Sequence, residues 1–336
     1  MLGGTAPQLI HNFGNFKGFT ISEADAFVDA ISNIANVEYI EPDTRVSISA
    51  LVTQTGAPWG LGRLSHREPG STDYVYDDSA GEGTYSYIID TGIFTEHEEF
   101  GGRATWGANF AEDGLDTDGN GHGTHVAGTT GGTTYGVAKK TNLIAVKVLD
   151  SSGSGSNSQV IAGIEWAVTD ATSKGRIGKA VANMSLGGLR LGEATNQAAA
   201  AAVEAGLFLA VAAGNDGLPA FLFSPASEPT VCTVGASDSD DSRASFSNFG
   251  ALVDIFAPGV DVLSAWNNGT TETNVISGTS MATPHITGLG AYLLALEGDR
   301  DPIALCKRIQ ELSTVDALSN PGLFTENRLA FNGATA

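Results

Sequence analysis

Residues 85–93 read YSYIIDTGI. A short run of aromatic and β-branched residues predicts a buried strand, and Asp90 falls at its carboxyl end. In open α/β sheets the groups that meet a ligand gather at that end of the strands. Two other segments complement it. GHGTHVAG, residues 121–128, sets His122 between glycines that permit a tight entry into an apolar, small-residue stretch read as the start of a helix. SGTSMATPH, residues 277–285, reads as a helix start at 277–279; Pro284 is tolerable in an early turn, and ITGLGAYLLALEG continues as a buried helix. Ser280 thus sits near a helix amino end.

The three residue types fit one chemistry. A serine hydroxyl is a poor nucleophile at neutral pH and needs a base to take its proton as it attacks a carbonyl. Histidine, with an ordinary pKa of roughly 6.5, can accept that proton and return it to a leaving amine. A buried aspartate fixes the imidazole tautomer and stabilises the imidazolium. A fourth element, LFLAVAAGND at 207–216, reads as a buried strand running into a Gly-Asn turn. The Asn215 amide and the Ser280 backbone N–H would then form a two-donor oxyanion hole, helped by the positive end of the helix dipole.

Other readings stand beside this one. Asp90 in isolation could cap a turn. D-T-G also marks aspartic proteases, but a bilobal enzyme needs a second such segment, which this sequence lacks. G-T-S-M-A resembles the nucleophile elbow of α/β-hydrolases, in which the serine precedes the acid and the histidine. Here the order is Asp, His, Ser, the order of subtilisin. His125, one turn beyond His122, is an alternative base, and the H-x-x-H pair lacks the spacing and the further ligands of a zincin.

The segments APWGLGRLSHR (57–67), YDDSAGEGTYSYIIDTGI (76–93), YGVAKKTNLIAVKVLD (135–150), NMSLGG (183–188), SPASEPTVCTVGAS (224–237) and SFSNFGALVDIFAPG (245–259) resemble the subtilisin-like serine proteases. The likeness is to the proteinase K subfamily, especially its secreted fungal members, and runs from about residue 51 to the end. It implies a doubly wound α/β domain with a mainly parallel sheet flanked by helices. The implied activity is a secreted, monomeric endopeptidase of broad specificity that favours apolar or aromatic side chains and uses no catalytic cofactor. The resemblance assigns the base to His122, which leaves His125 structural; His285, five residues after Ser280, reads as packed in the helix.

By the same resemblance the pocket before the scissile bond is lined by Ser185, Leu186, Gly187 and Gly188 on one side and Ala212, Ala213 and Gly214 on the other. Phe223 stands where relatives often carry tyrosine, so the rim is either unusually apolar or an ordinary loop with a few buried aromatics. Segments 186–188 and 134–136 are candidate edges for an extended substrate. Cys232 and Cys306 match a family disulfide, the alternative being two buried free thiols; an oxidised pair fits an extracellular setting. Tyr85 and Arg176 stand where a second bridge would be, and Val126 replaces a cysteine beside the histidine. The Pro229 and Val231 carbonyls with the Asp254 carboxylate match a structural calcium site, unless Asp254 merely caps a turn. A second calcium site is doubtful, because Ala317 occupies the expected position and Asp316 is offset by one.

Residues 1–50 resemble the later part of a subtilisin propeptide, truncated on its N-terminal side and preceded by no signal peptide, so the domains read as 1–50 and 51–336. Ala24, Phe27, Val28 and Ile31 form an apolar helical face, and VEYIE (37–41) and VSISA (46–50) read as strands. Cleavage is expected near 49–51, with the propeptide as inhibitor of a zymogen. The runner-up functions are a latent protease held by this segment and a noncatalytic binding scaffold.

A chain of 336 residues, 42% hydrophobic, suffices for one sizeable domain and a small prosegment. Its net charge of −21 argues against a nucleic-acid partner, and no apolar run reaches membrane-spanning length. His11 and His66 lie in polar, irregular surroundings read as exposed, and His97 in EHEEF reads as part of a solvated face. Asn268-Gly-Thr270 is a surface sequon, whereas Asn183-Met-Ser185 falls on a core strand.

Overall fold

A computed structural model describes residues 9–20, 31–40, 50–190 and 192–335. Backbone contacts divide the chain into two units, Met1–Ile48 and Ser49–Ala336. In the first, β1 (Leu9–Phe13) and β2 (Phe16–Thr20) form an antiparallel hairpin around Gly14, whose φ of 54° suits a residue without a Cβ. The Gly14-Asn15 pair between two phenylalanines is the signal that the sequence reading passed over. Residues 37–40 do not form the expected strand. Val37 N donates to Ile34 O at 3.1 Å, which closes a local turn in place of a ladder. Ile31 starts the described helical pair 31–32. Ala24, Phe27 and Val28, with positions 46–49 of the other expected strand, lie outside the described residues.

The second unit opens with β3 (Leu51–Gln54), α1 (Trp59–Ser65) and β4 (Tyr74–Asp77), β3 pairing with β4. Then come β5 (Tyr85–Asp90), β6 (Ala104–Asn109), α2 (His122–Gly131), β7 (Asn142–Lys147), α3 (Asn157–Ser173) and β8 (Ala180–Met184). After β9 (Gly188–Leu189), α4 (Ala194–Glu204), β10 (Phe208–Ala212) and β11 (Phe223–Ser224), the chain forms β12 (Cys232–Ser237) and β13 (Ile255–Pro258). The hairpin β14 (Val262–Ala265) and β15 (Thr273–Ile276) precedes α5 (Thr279–Glu297), α6 (Pro302–Leu312), β16 (Thr314–Val315) and β17 (Arg328–Leu329).

Nine strands form one sheet in the order β16-β17-β13-β12-β10-β8-β5-β7-β6, parallel except for the β16–β17 edge. This is the expected doubly wound architecture. From β5 the chain goes to the β6 edge and returns to place β7 between them, then crosses to the other side of β5 to add β8, β10 and β12 in turn. The order therefore reverses between β5 and β8, and in sheets of this kind ligands meet the carboxyl ends of the strands at such a reversal.

Burial explains why these strands read as continuous apolar runs. On β5, Tyr87 and Ile89 pack beneath α3 and α4, while Ile88 packs with Val126 of α2 and Met281 of α5. Helix α5 is buried along almost its whole length, the condition that an all-round apolar helix requires. The Cys232–Cys306 disulfide, Cα atoms 5.8 Å apart, ties β12 to α6. At the two positions that stand in place of a second bridge, the Arg176 guanidinium lies 4.2 Å over the Tyr85 ring. It also donates to Asp170 Oδ2 at 2.7 Å and to the Tyr87 hydroxyl at 3.0 Å. None of the described helices is long and apolar enough to cross a membrane.

Candidate active site

Asp90 is the last residue of β5, opposite Lys147 in the β7 register. Its Oδ1 accepts from its neighbour Thr91 N and from His122 Nδ1, both at 2.7 Å. The carboxylate is fully buried, whereas the imidazole side chain is 24% exposed. The proton therefore lies on Nδ1, and Nε2 is left as an acceptor on the accessible side. Burial opposes imidazole protonation, but the charge and hydrogen bond of Asp90, with the charge of Asp118, outweigh it and raise the His122 pKa above its usual value.

Buried Lys147 steadies this corner, its ammonium donating to Thr91 O and Leu149 O at 2.9 Å and pairing with Asp113 at 3.0 Å. The sequence reading did not single it out. A lysine at the end of an apolar strand was the available signal, since buried lysines need partners.

Ser280 is the second residue of α5. Pro284, four residues on, has no N–H for the Ser280 carbonyl and lies deeper in the helix than its first turn. Ser185 Oγ takes that place, donating to Ser280 O at 2.7 Å, while Ser280 Oγ donates to Ser185 O at 3.2 Å. The end of β8 and the start of α5 are thereby clasped. The nucleophile candidate points at this carbonyl rather than at His122, so only the Asp90–His122 pair is hydrogen-bonded.

Thr279 orients Asn215. Its N–H and hydroxyl donate to Asn215 Oδ1 at 2.8 and 2.9 Å, which leaves Nδ2 as the outward donor. A Cβ on Gly278 would lie 3.6 Å from Ser280 N and 3.7 Å from Asn215 Nδ2. The two donors thus lie on the same side of Gly278, each at ordinary contact distance from that point.

Ser185, Leu186, Gly187 and Gly188 follow β8; Ala212 ends β10, the adjacent parallel strand, and Ala213 and Gly214 follow it. Their walls differ: Ala212 and Ala213 are buried, whereas Gly187 and Gly188 are exposed. Strands β9 and β11 pair antiparallel, Phe223 opposite Leu189. Phe223 is 6% exposed and packs inward near Gly214, while Phe221 is 56% exposed. The outer apolar surface thus comes from Phe221 and Leu189.

Several expectations are corrected. His97 is buried, not on a solvated face: Nε2 donates to Glu272 O at 2.8 Å, and Nδ1 accepts from Glu99 N. His66 is half-buried, its Nδ1 meeting Gly62 O at 3.0 Å. Segment 134–136 offers no free amide edge to a peptide. Glu99 Oε2 takes Thr134 N and Tyr135 N, and Gln54 and Lys139 hold Thr134 O. His125 and His285 are buried with pKa values pushed down to about 4 by desolvation, and they donate to Val262 O and Met281 O.

Asp254 accepts from Thr233 N at 2.8 Å and from Gln310 Nε2 at 3.1 Å, and burial pushes its pKa up to about 6. Among the described residues its only metal-ligating company is Cys232 and Cys306. Those sulfurs are joined to each other, so any ion there would take oxygen donors, which suits a hard cation.

The family model Peptidase_S8, described as the subtilase family, matches residues 81–311. A subtilisin-like protease of Coccidioides posadasii is 56% identical over 325 residues, which cover 96% of this chain and 80% of that protein. The cuticle-degrading protease of Metarhizium anisopliae is 56% identical over 319 residues, 95% of this chain and 81% of that one. Among solved structures, a cold-adapted subtilisin-like serine proteinase superposes with a TM-score of 0.78 at 42% identity, covering 83% of this chain and 99% of the other.

Proposed function

The chain belongs to the subtilase family of serine endopeptidases, and we propose that Asp90, His122 and Ser280 are its catalytic triad, acting in a secreted enzyme made as a zymogen. The observation that carries this reading is the 2.7 Å contact of His122 Nδ1 with buried Asp90 at the end of β5, with Ser280 in the first turn of α5 held to the end of β8.

This reading requires Ser280 Oγ to exchange the Ser185 carbonyl for His122 Nε2 when substrate binds. Catalytic hydrogen bonds commonly tighten only when substrate arrives. Oγ then attacks the scissile carbonyl, and its proton passes to Nε2 while Asp90 stabilises the imidazolium. The oxyanion takes hydrogen bonds from Asn215 Nδ2 and Ser280 N. His122 returns the proton to the departing amine, and a water activated at the same nitrogen hydrolyses the acyl-enzyme.

The side chain before the cut lies between Ser185, Leu186, Gly187 and Gly188 and Ala212, Ala213 and Gly214, with Phe223 beneath. Walls of small, uncharged residues admit apolar and aromatic groups and discriminate modestly among them. The substrate is protein, and residues 1–50 act as the enzyme's own inhibitor until cleavage near 49–51. Calcium held by the Pro229 and Val231 carbonyls and the Asp254 carboxylate would supply structural charge neutralisation for a desolvated acid.

A fluorophosphonate probe tests the assignment. It labels Ser280 in the parent, and Ser280→Ala loses both label and casein hydrolysis, the latter on the order of a million-fold, the loss known for subtilisin's own serine. Parental turnover in Ser280→Ala would sink the triad, and a parent that neither labels nor hydrolyses casein would favour the scaffold alternative.

A further inference from the structure

Helix α2 delivers His122, yet its amino end has no capping side chain of its own, since Gly121 occupies the N-cap. Four N–H groups there need acceptors. Gly121 N and Thr124 N donate to Asp118 Oδ1 and Oδ2, both at 2.9 Å. His122 N goes to Asn120 Oδ1 at 3.2 Å, and Gly123 N to Thr91 Oγ1 at 2.9 Å. Thr91 Oγ1 in turn donates to Asp118 Oδ1 at 2.9 Å. Asn120 N and Thr124 Oγ1 also donate to this carboxylate, at 3.0 and 2.6 Å.

Asp118 is 3% exposed, and its five donors are all neutral. Such a buried charge is sustained by hydrogen bonds and by the helix dipole rather than by a cation. Its bonds have a particular reach. They join residue 91, adjacent to Asp90 on β5, to residues 121 and 124, which flank His122 on α2. The two halves of the 2.7 Å Asp90–His122 contact are fastened to one carboxylate.

We propose that Asp118 is a positioning residue of the peptidase reaction, holding Asp90 and His122 in register and adding a second negative charge behind the imidazolium. This rests on the triad assigned above. The arrangement requires a carboxylate, because both oxygens face donors. An asparagine must turn its NH2 either toward Thr124 N–H or toward the N–H groups of residues 120 and 121.

The other ionisable groups around His122 do not duplicate this role. His125, on α2 itself, and His285, on α5, are neutral. Lys147 on β7 is held by Asp113. Strand β14 carries no titratable residue, and the short turn Glu98–Phe100 that also packs on α2 contributes Glu98 and Glu99, of which Glu99 is engaged with Thr134 and Tyr135. Asp90 and Asp118 are the charges that raise the imidazole's affinity for a proton.

The test compares the parent, Asp118→Asn and Thr91→Val, each expressed from the full chain and recovered after self-processing. It uses a peptide p-nitroanilide for kcat, KM and the pH profile, and fluorophosphonate labelling to count active sites. Asp118→Asn should lower kcat per labelled site on the order of 100-fold, the scale of a misplaced catalytic group, with KM within about twofold. The acid limb of kcat/KM should move to lower pH. Thr91→Val cuts the bridge but keeps the charge, so kcat falls while the acid limb stays; it also serves if Asp118→Asn does not fold. Parental kcat in Thr91→Val, or an unmoved acid limb in folded Asp118→Asn, overturns the proposal with the triad intact. A parent that never labels at Ser280 removes the triad as well.

Discussion

Cutting the single disulfide should destabilise the peptidase unit by an amount that the chain itself sets. Cys232 and Cys306 are separated by 74 residues, and the chain-entropy expression for a loop of that length gives about 4.5 kcal/mol. For a unit the size of Ser49–Ala336, an unfolding entropy of about 2.1 cal/mol/K per residue converts this to a Tm decrease of about 7 °C. Both cysteines are buried, so alanine at each position leaves only a small void. The measurement is calorimetry of Cys232→Ala/Cys306→Ala against its parent, both carrying Ser280→Ala so that autolysis does not pull the equilibrium. Urea titration should show the same loss with a larger m-value, as an uncrosslinked chain exposes more surface on unfolding. A Tm change below 2 °C would refute the entropic account and place the anchoring of α6 on packing alone.

Three further outcomes are expected. Asn215→Ala should lower kcat about 100- to 1,000-fold with little change in KM, a range carried over from an asparagine donor in a subtilisin; an equal loss in KM alone would move Asn215 from the oxyanion to ground-state binding. Because His122 must be neutral to act as base and its pKa is raised, activity should be complete above that pKa and fall as pH drops through it. An acid limb of kcat/KM below the ordinary histidine value would contradict the Asp90 contact. If calcium fills the Asp254 site at 100 times its Kd, chelation should remove about 2.7 kcal/mol of stability; in Asp254→Asn, calorimetry with and without chelator should give one Tm.

Much of this fold was legible because its signals are local. YSYIID reads as a buried strand since both faces are covered, and α5 reads as a buried helix since its apolar residues run all the way round. What escaped depends on partners distant in sequence. His97 looks solvated among three glutamates, but the carbonyl that buries it belongs to Glu272, 175 residues away. Residues 134–136 look like an open edge until Glu99 reaches them across 35 residues. Asn215 could be placed by its strand end, whereas its orientation waits on Thr279, 64 residues on. Asp118 sits in a polar stretch, DTDGNG, that reads as ordinary surface turn. Its burial follows from the uncapped helix start beside it; that start is legible in GHGTHVAG, but not that its N–H groups turn back to residue 118 or that Thr91 of β5 joins them.

The Arg176 cluster gives the protein a fastening unlike its sulfur bridge. A guanidinium stacked on Tyr85 and bonded to Asp170, which Lys174 also engages, re-forms after each thermal opening and requires no oxidant. Thiol reagents that sever Cys232 from Cys306 would leave this corner between β5 and the end of α3 closed. Concentrated electrolyte, which spares the covalent link, would loosen it by screening. The two corners of the domain therefore fail under different solvents, one to reductant and one to brine.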